Sequence, residues 1–236
     1  MSGSVDYEKM REAILEVREK IEAAAVRSGR DPNEILLLGV TKTVDVDAMQ
    51  AAFDLGIKDF GENRVQEFVK KSDILNRECR WHIIGRLQTN KVKYLDSRIT
   101  LIHSLDRIEL AEALDKRGKK INYVFPVLVQ VNVSGENTKA GISPENLKDF
   151  LLRLSKMGNI KVRGLMTIAP YTEDPEAVRY VFRNLKKLSV DIDRERVDNI
   201  SMEELSMGMS GDYEVAVEEG ATIVRIGSAI FGERNY

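Results

Sequence analysis

The chain has 236 residues, of which 36 are Lys or Arg and 38 are Asp or Glu, so its formal net charge is −2. A chain this close to neutral has no overall field that draws in a polyanion, which argues against nucleic acid or a membrane surface as its partner. One cysteine, Cys79, excludes an internal disulfide. Because neither a signal peptide nor an apolar run of about 18 residues is present, we expect a cytoplasmic protein.

The first predicted element is a helix over 5–28. Its apolar residues form one stripe, Met10, Ile14, Val17, Ile21 and Ala24. Their spacing of three and four residues is the period of a helix that buries one face. From residue 35 onward, strands alternate with helices. Predicted strands cover 35–41, 57–61, 80–84, 99–103, 127–133, 162–168, 204–207 and 222–226. Predicted helices cover 46–55, 65–75, 90–94, 107–117, 144–157, 175–188 and 213–219.

Eight strands alternating with helices are typical of an α/β fold of the closed (β/α)₈ or TIM-type barrel class. The rival is an open doubly wound sheet, but eight strands without a seam between domains favour the barrel. After the last strand and the residues that turn away from it, only residues 231–236 remain, too few for an outer helix, so we expect the helix over 5–28 to complete the ring. No repeat or Gly/Ser linker interrupts the chain, and we predict a single domain over 1–236.

Lys42 follows the first strand, whose run ILLLGVT is almost entirely apolar. Such a run predicts a strand that is buried on both faces. In a barrel, active groups lie at the C-terminal ends of the strands and in the loops that follow them. Burial disfavours the charged ammonium and leaves a free amine, the form that attacks an aldehyde. We therefore predict that Lys42 forms a Schiff base with a carbonyl compound.

Two turns rich in small residues end the seventh and eighth strands, SMGMSG (206–211) and RIGS (225–228). Small residues let backbone N–H groups approach a phosphate, serine hydroxyls add donors, and a helix N-terminus near Asp212 adds partial positive charge. One such turn alone is explained by tight backbone geometry, but two at the strands where barrels often bind phosphate favour an anion site. A reactive lysine beside a phosphate site suits pyridoxal 5′-phosphate (PLP), which needs both.

Other polar residues give weaker patterns. His82, His103 and Cys79 show no metal-ligand spacing, so we predict no metal. We interpret His82 as packing beside Trp81 in the barrel wall, with its polar atoms satisfied by neighbours. Glu62 is a candidate base, although a hydrogen-bonded turn residue is the simpler interpretation.

Seven stretches of the chain resemble one known family. They are GVTKT (39–43), FGENRVQE (60–67), WHIIGRLQTNK (81–91), VNVSGENTKAGI (131–142), VRGLMTIAP (162–170), ELSMGMSGDYEVAV (204–217) and VRIGSAIFGER (224–234). The match runs almost end to end, and its motifs are long and in order. The chain thereby resembles the pyridoxal 5′-phosphate homeostasis protein family, also called the proline synthetase co-transcribed family. The fold of that family is similar to the N-terminal barrel of alanine racemase.

The resemblance implies that Lys42 forms the Schiff base with PLP. It also implies that four residues of the two turns contact the phosphate, Ser210, Gly211, Gly227 and Ser228. The family usually has threonine where this chain has Ser228, and serine retains the hydroxyl. Arg225 corresponds to an arginine close to the cofactor, on the side of either the ring nitrogen or the phosphate. Asn63 corresponds to a residue that lines the same cavity.

The resemblance also implies a carrier or regulator of free PLP, because the family has no established reaction. We expect a monomer that makes transient contact with PLP-dependent enzymes. One alternative is an amino-acid racemase or related enzyme that uses the same Schiff base. Alanine racemase takes a second base, a tyrosine, from a further domain of a partner subunit, which we do not expect here. The other alternative is a phosphosugar enzyme with a Schiff-base lysine, as in aldolases.

Overall fold

Eight parallel strands close into a barrel in the computed structural model, which describes residues 6–75, 78–136 and 140–232. The strands are β1 Leu36–Val40, β2 Asp59–Glu62, β3 Arg80–Ile83, β4 Ile99–Leu105, β5 Phe125–Gln130, β6 Ile160–Met166, β7 Ile200–Met209 and β8 Ile223–Ile226. Strands adjacent in sequence are adjacent in the barrel, and β8 pairs with β1 from Leu36↔Ile223 to Gly39↔Ile226. The predicted (β/α)₈ fold is therefore confirmed. Val5 of the first predicted helix, and residues 137–139 and 233–234 of the quoted motifs, lie outside the described residues.

Helices cover the outside of the barrel. They are α1 Tyr7–Arg27, α2 Val46–Asp54, α3 Val65–Ser72, α4 Ile108–Ile121, α5 Pro144–Leu154, α6 Arg179–Arg194, α7 Tyr213–Glu218 and α8 Ser228–Phe231. The side chain of Asp6 caps α1 by accepting a hydrogen bond from the N–H of Lys9. The whole predicted stripe of α1 is buried, and α1 packs against α7 and α8. The N-terminal helix thus completes the outer ring beside the one-turn helix α8, as predicted. Within the ranges described, no helix combines the length and apolar character that crossing a membrane requires.

The barrel has two apolar layers because successive residues of a strand point to opposite faces. In β1, Leu38 and Val40 face the interior, while Leu37 packs with the outer layer between strands and helices. The interior layer is small and consists of Leu38, Val40, Leu101, Leu128, Met166 and Ile223. Buried polar residues also lie on the strands, namely Asp59, Glu62, His82, His103, Ser104, Gln130, Ser206 and Arg225.

Many elements end at other residues than predicted; α6, for example, runs to Arg194 rather than to residue 188, and β5 ends at Gln130 rather than at residue 133. Three further differences concern the type of a helix or the start of a strand. Thr89–Tyr94 is a 3₁₀ helix rather than an α-helix. The predicted helix over 175–188 begins with a 3₁₀ turn, Pro175–Val178, before α6. Strand β7 begins at Ile200, earlier than the predicted start at residue 204, because Ile200 pairs with Val162 of β6.

Candidate functional site

An open cavity of about 900 Å³ lies at the C-terminal end of the barrel. It is lined by residues at or after the ends of every strand except β4. All seven residues predicted from the sequence line it, Lys42, Asn63, Ser210, Gly211, Arg225, Gly227 and Ser228. The structure therefore brings the lysine and both small-residue turns to one cavity, while their roles in binding stay predictions.

Lys42 is half-buried in the cavity wall, and the backbone on both sides of it is held in place. On one side, the buried Thr41 donates its hydroxyl to Glu62 Oε1 over 2.6 Å. On the other side, Thr43 has a φ of 63°, in the left-handed region that strains a β-branched residue. The N–H of Thr43 donates to Glu67 Oε2 over 3.0 Å. The two glutamates thus fix the position from which the lysine side chain starts.

Lys71 joins these two glutamates in a buried cluster of charges. Its Nζ lies 2.9 Å from Glu62 Oε1 and 3.0 Å from Glu67 Oε2, and it donates to the carbonyl of Thr41 over 2.8 Å. Burial raises the pKa of the Glu62 carboxyl, and the Lys71 ammonium and the Thr41 hydroxyl only partly offset this effect. Glu62 Oε2 has no hydrogen-bond partner among the described residues. These contacts favour the interpretation of Glu62 as a hydrogen-bonded structural residue over that of a base, although it is the last residue of β2 rather than part of a turn.

The two small-residue turns after β7 and β8 contact each other. Ser210 Oγ accepts hydrogen bonds from the N–H groups of Gly227 and Ala229, at 3.3 and 3.4 Å. Gly208 lies within β7, where the pairing with β8 shifts register between Ser206 and Met209. Its φ is 91°, and a Cβ there would lie 2.7 Å from the Ala216 side chain, so this irregular part of the strand requires glycine. The following helices, α7 and α8, have six and four residues. The donors at this site are therefore backbone N–H groups and hydroxyls rather than a strong helix dipole.

Arg225 forms a buried, cationic part of the cavity wall. Its Nη1 donates to Ser206 Oγ over 2.6 Å, and its Nη2 donates to the carbonyl of Thr167 over 2.9 Å. Burial lowers the pKa of the guanidinium to about 10, against the opposite effect of the Asp212 carboxylate. Arg225 is thus still charged at neutral pH. It offers the cavity N–H donors and no acceptor.

The structure corrects the interpretation of His82. Trp81 packs with Phe68 in the outer layer, whereas His82, the next residue along the strand, points to the interior. There its ring nitrogens hydrogen-bond with His103 and Asp59. The expectation that its polar atoms are satisfied is confirmed, but the packing beside Trp81 is wrong. The inward direction of His82 could have been predicted from the sequence, because it is a polar residue between Trp81 and Ile83 on the same strand.

The rim of the cavity carries Asn63 and Tyr171. The backbone of Asn63 packs so closely on Gly85 that a Cβ on this glycine would lie 2.4 Å from the Asn63 carbonyl oxygen. Tyr171 is 95% exposed. In the part of the chain that the structure describes, no three His, Cys, Asp or Glu side chains group in a way that could hold a metal ion.

Known proteins resemble this chain in both sequence and fold. The model of the alanine racemase N-terminal domain matches residues 16–235. A pyridoxal phosphate homeostasis protein of Aquifex aeolicus is 52% identical over 226 residues, which cover 95% of this chain and 98% of that protein. The chain belongs to the pyridoxal phosphate homeostasis protein family.

Two solved structures place this member of the family among related barrels. PipY of Synechococcus elongatus, solved with PLP bound, has a TM-score of 0.80 and 30% identity, covering 94% of this chain and all of PipY, 100%. Alanine racemase of Clostridium difficile in complex with cycloserine has a TM-score of 0.72 and 15% identity, covering 97% of this chain and 60% of the racemase. The racemase shares the fold of this homeostasis protein family member.

Proposed function

We propose that this protein binds PLP as a Schiff base on Lys42 and acts in the homeostasis of the free cofactor, without robust catalysis of its own. The observation that carries the proposal is a single cavity lined by a half-buried lysine, a buried arginine and two turns rich in N–H and hydroxyl donors. The family relationship supports it, since PipY was solved with PLP bound.

The residues that line the cavity fit the aldehyde and the phosphate of PLP, and two of them offer further polar contacts. The amine of Lys42 suits the aldehyde: a C=N bond forms between the lysine nitrogen and the aldehyde carbon, and water leaves. Four residues of the small-residue turns suit the phosphate, Ser210, Gly211, Gly227 and Ser228. Arg225 offers an N–H donor on the cavity wall, and Asn63 an amide at its rim. When bound, PLP would supply an electrophilic carbon conjugated to its ring.

Two features support binding and release over catalysis. Arg225 can only donate hydrogen bonds, so beside the ring nitrogen of PLP it would favour the unprotonated nitrogen and make the ring a weak electron acceptor, and beside the phosphate it would add an anchor. Tyr171 is the tyrosine among the described lining residues, and its side chain lies almost wholly in water. A side chain without packing contacts is poorly positioned to move a proton at a substrate carbon.

An absorbance titration with PLP tests the covalent anchor. We compare the wild type with Lys42→Ala and with Lys116→Ala, which removes an exposed lysine of α4. We expect a visible band in the wild type and in Lys116→Ala, and none in Lys42→Ala. Borohydride reduction and peptide mapping should place the label on Lys42. A band retained by Lys42→Ala, or a label on another lysine, would refute the proposal.

The same preparation separates the alternatives. A racemase or related enzyme would incorporate solvent deuterium at Cα of an amino acid, and we expect no exchange across a panel of L- and D-amino acids. A phosphosugar enzyme would be trapped by borohydride with sugar phosphates and not with PLP. Transfer from the loaded protein to a PLP-dependent apoenzyme measures the predicted contact with such enzymes, and sedimentation measures the predicted monomer.

A further inference from the structure

A continuous chain of hydrogen-bonded side chains crosses the barrel interior. It starts at Arg225 Nη1, 2.6 Å from Ser206 Oγ, and the same oxygen lies 2.8 Å from His103 Nδ1. His103 Nε2 lies 3.0 Å from His82 Nδ1, and His82 Nε2 lies 3.0 Å from Asp59 Oδ1. The five residues come from β8, β7, β4, β3 and β2, and each is at most 5% exposed. We call these five residues the interior relay.

The far end of the interior relay determines which ring nitrogen carries a proton. Burial acts to raise the pKa of Asp59, but hydrogen bonds from His82 and Arg80 outweigh it and hold the pKa below its usual range. The ionised Asp59 can only accept, so His82 Nε2 must carry a hydrogen. In a neutral ring, His82 Nδ1 is then an acceptor, and His103 Nε2 must be the donor to it.

The hydrogen positions at the Arg225 end of the interior relay follow from the same count of donors and acceptors. Since His103 Nε2 carries the hydrogen, His103 Nδ1 is an acceptor, and it takes the hydroxyl hydrogen of Ser206. The Ser206 oxygen in turn accepts from Arg225, which can only donate. Every hydrogen bond of the interior relay therefore points from Arg225 toward Asp59, and each buried polar atom in it is satisfied.

A proton added to His103 would break this order. Its Nδ1 would become a donor facing the Ser206 oxygen, which already receives Arg225, and the hydroxyl hydrogen would lose its acceptor. Burial is the main cause, and the nearby Arg225 guanidinium a further one, that holds the pKa of His103 well below its ordinary value. The hydrogen-bond geometry and the lowered pKa therefore both favour a neutral His103 ring.

We propose that His82 and His103 are positioning residues of the cofactor site, which act through Ser206 to hold the Arg225 guanidinium as a fixed donor facing bound PLP. The proposal rests on the proposed function for its ligand. Ser206 Oγ accepts one hydrogen from Nη1 of Arg225, and the Thr167 carbonyl accepts one from Nη2. Because these acceptors lie on β7 and just after β6, the guanidinium is directed to that side of the barrel and cannot rotate freely. Loss of the histidine chain would leave Ser206 free to turn and Arg225 free to move.

Nitrogen-15 NMR of ring-labelled histidine tests the proton order without any cofactor. The chain has two histidines, so single variants at His82 and His103 assign the spectrum completely. We expect the hydrogen of each ring to lie on Nε2 at pH 7, as the hydrogen-bond order requires. A hydrogen on Nδ1 of either ring would overturn the proposal.

Ser206→Ala tests the effect on the site. The change leaves His103 Nδ1 and one Arg225 N–H without a buried partner, so we expect PLP affinity to fall about tenfold or more and the visible band to shift. Ser189→Ala is the matched control, because Ser189 is a buried serine of α6 that donates to the Lys186 carbonyl. Unchanged affinity and spectrum in Ser206→Ala, or an equal loss in Ser189→Ala, would contradict the proposal. A wild type that takes up no PLP would instead refute the proposed function, and the tautomer result would still decide the relay.

Discussion

Lys71→Met tests whether the buried charges beside Lys42 hold the fold together. The side chain of Glu62 is 0% exposed, and its Oε1 lies 2.9 Å from Lys71 Nζ. Methionine keeps the length and apolar volume of lysine but removes the cation. Glu62 then retains the Thr41 hydroxyl as its hydrogen-bond donor at Oε1 and carries an uncompensated buried charge.

The cost has an upper bound set by protonation, because Glu62 can take up a proton instead of staying charged. Starting from the ordinary pKa of 4.5, protonation at pH 7.5 costs about 4 kcal/mol, at about 1.4 kcal/mol per pH unit. Removal of one partner of a buried ion pair costs about 3–5 kcal/mol, which agrees with this bound. We therefore expect Lys71→Met to lower the free energy of unfolding by about 3–4 kcal/mol at pH 7.5, or about 6–16 °C in Tm.

The loss should shrink at acid pH. Without Lys71, the pKa of Glu62 in the folded state rises further above its unfolded value, so the folded state binds the proton more tightly. Stability then falls as the pH rises above the unfolded pKa of 4.5, and the deficit of Lys71→Met at pH 5 should be under about 1 kcal/mol from this source.

Urea unfolding at pH 7.5 and pH 5 measures both values, with the single tryptophan, Trp81, as the buried fluorescent probe. Lys70→Met, which removes an exposed lysine of α3, should change stability by less than about 0.5 kcal/mol. The double variant Glu62→Gln/Lys71→Met should recover most of the loss, since the fully buried carboxylate is gone and the carboxylate of Glu67 that remains is half-buried. The reasoning fails if Lys71→Met costs under about 1 kcal/mol at pH 7.5, if its deficit does not depend on pH, or if the double variant is no more stable than the single one.

Three further predictions concern the turns and the barrel interior. Ser210→Ala removes the oxygen on which two backbone N–H groups converge, and we expect it to weaken PLP binding about tenfold in the absorbance titration with little change in Tm. Gly85→Ala forces a Cβ to 2.4 Å from the Asn63 carbonyl oxygen and should lower the free energy of unfolding in urea by about 2 kcal/mol or more. In the control Gly158→Ala, the new Cβ has no atom within 4 Å, and the loss should be under about 0.5 kcal/mol. The pKa of Asp59 is lowered in the folded state, so its ionised form stabilises the fold above the unfolded pKa of 3.8. This contribution is lost as the pH falls through the folded pKa. Circular dichroism melts of Asp59→Asn should therefore differ most from wild type at pH 6 and converge toward it by pH 3.

The sequence predicted the barrel because eight short strand candidates alternate with helix candidates along the chain. It misplaced the start of β7, where Ser201 and Glu203 interrupt the apolar pattern. That segment is a strand because Ile200 pairs with Val162 of β6, a contact between residues distant in sequence. The sequence pattern also could not predict the type of helix at Thr89–Tyr94, because a segment this short has too few residues to distinguish a 3₁₀ from an α-helical period.

The cavity residues were predictable because a barrel gathers the C-terminal ends of its strands in one place. Lys42, Gly211 and Gly227 each stand next to a strand end, and so their positions follow from the strand assignment alone. The interior relay was not predictable in this way. His82 and His103 lie on different strands, and their contact depends on strand register and shear rather than on local spacing.

Closure of the ring between β1 and β8 has a consequence for biosynthesis. Lys42 lies just past the first strand and Arg225 on the last, so a ribosome makes the lysine long before the arginine. Until β8 docks against β1, the two side chains share no enclosure, and such contacts between distant parts of a chain form late in folding. A nascent chain therefore lacks the enclosed cavity proposed here to hold the cofactor, and this enclosure forms only when β8 pairs with β1.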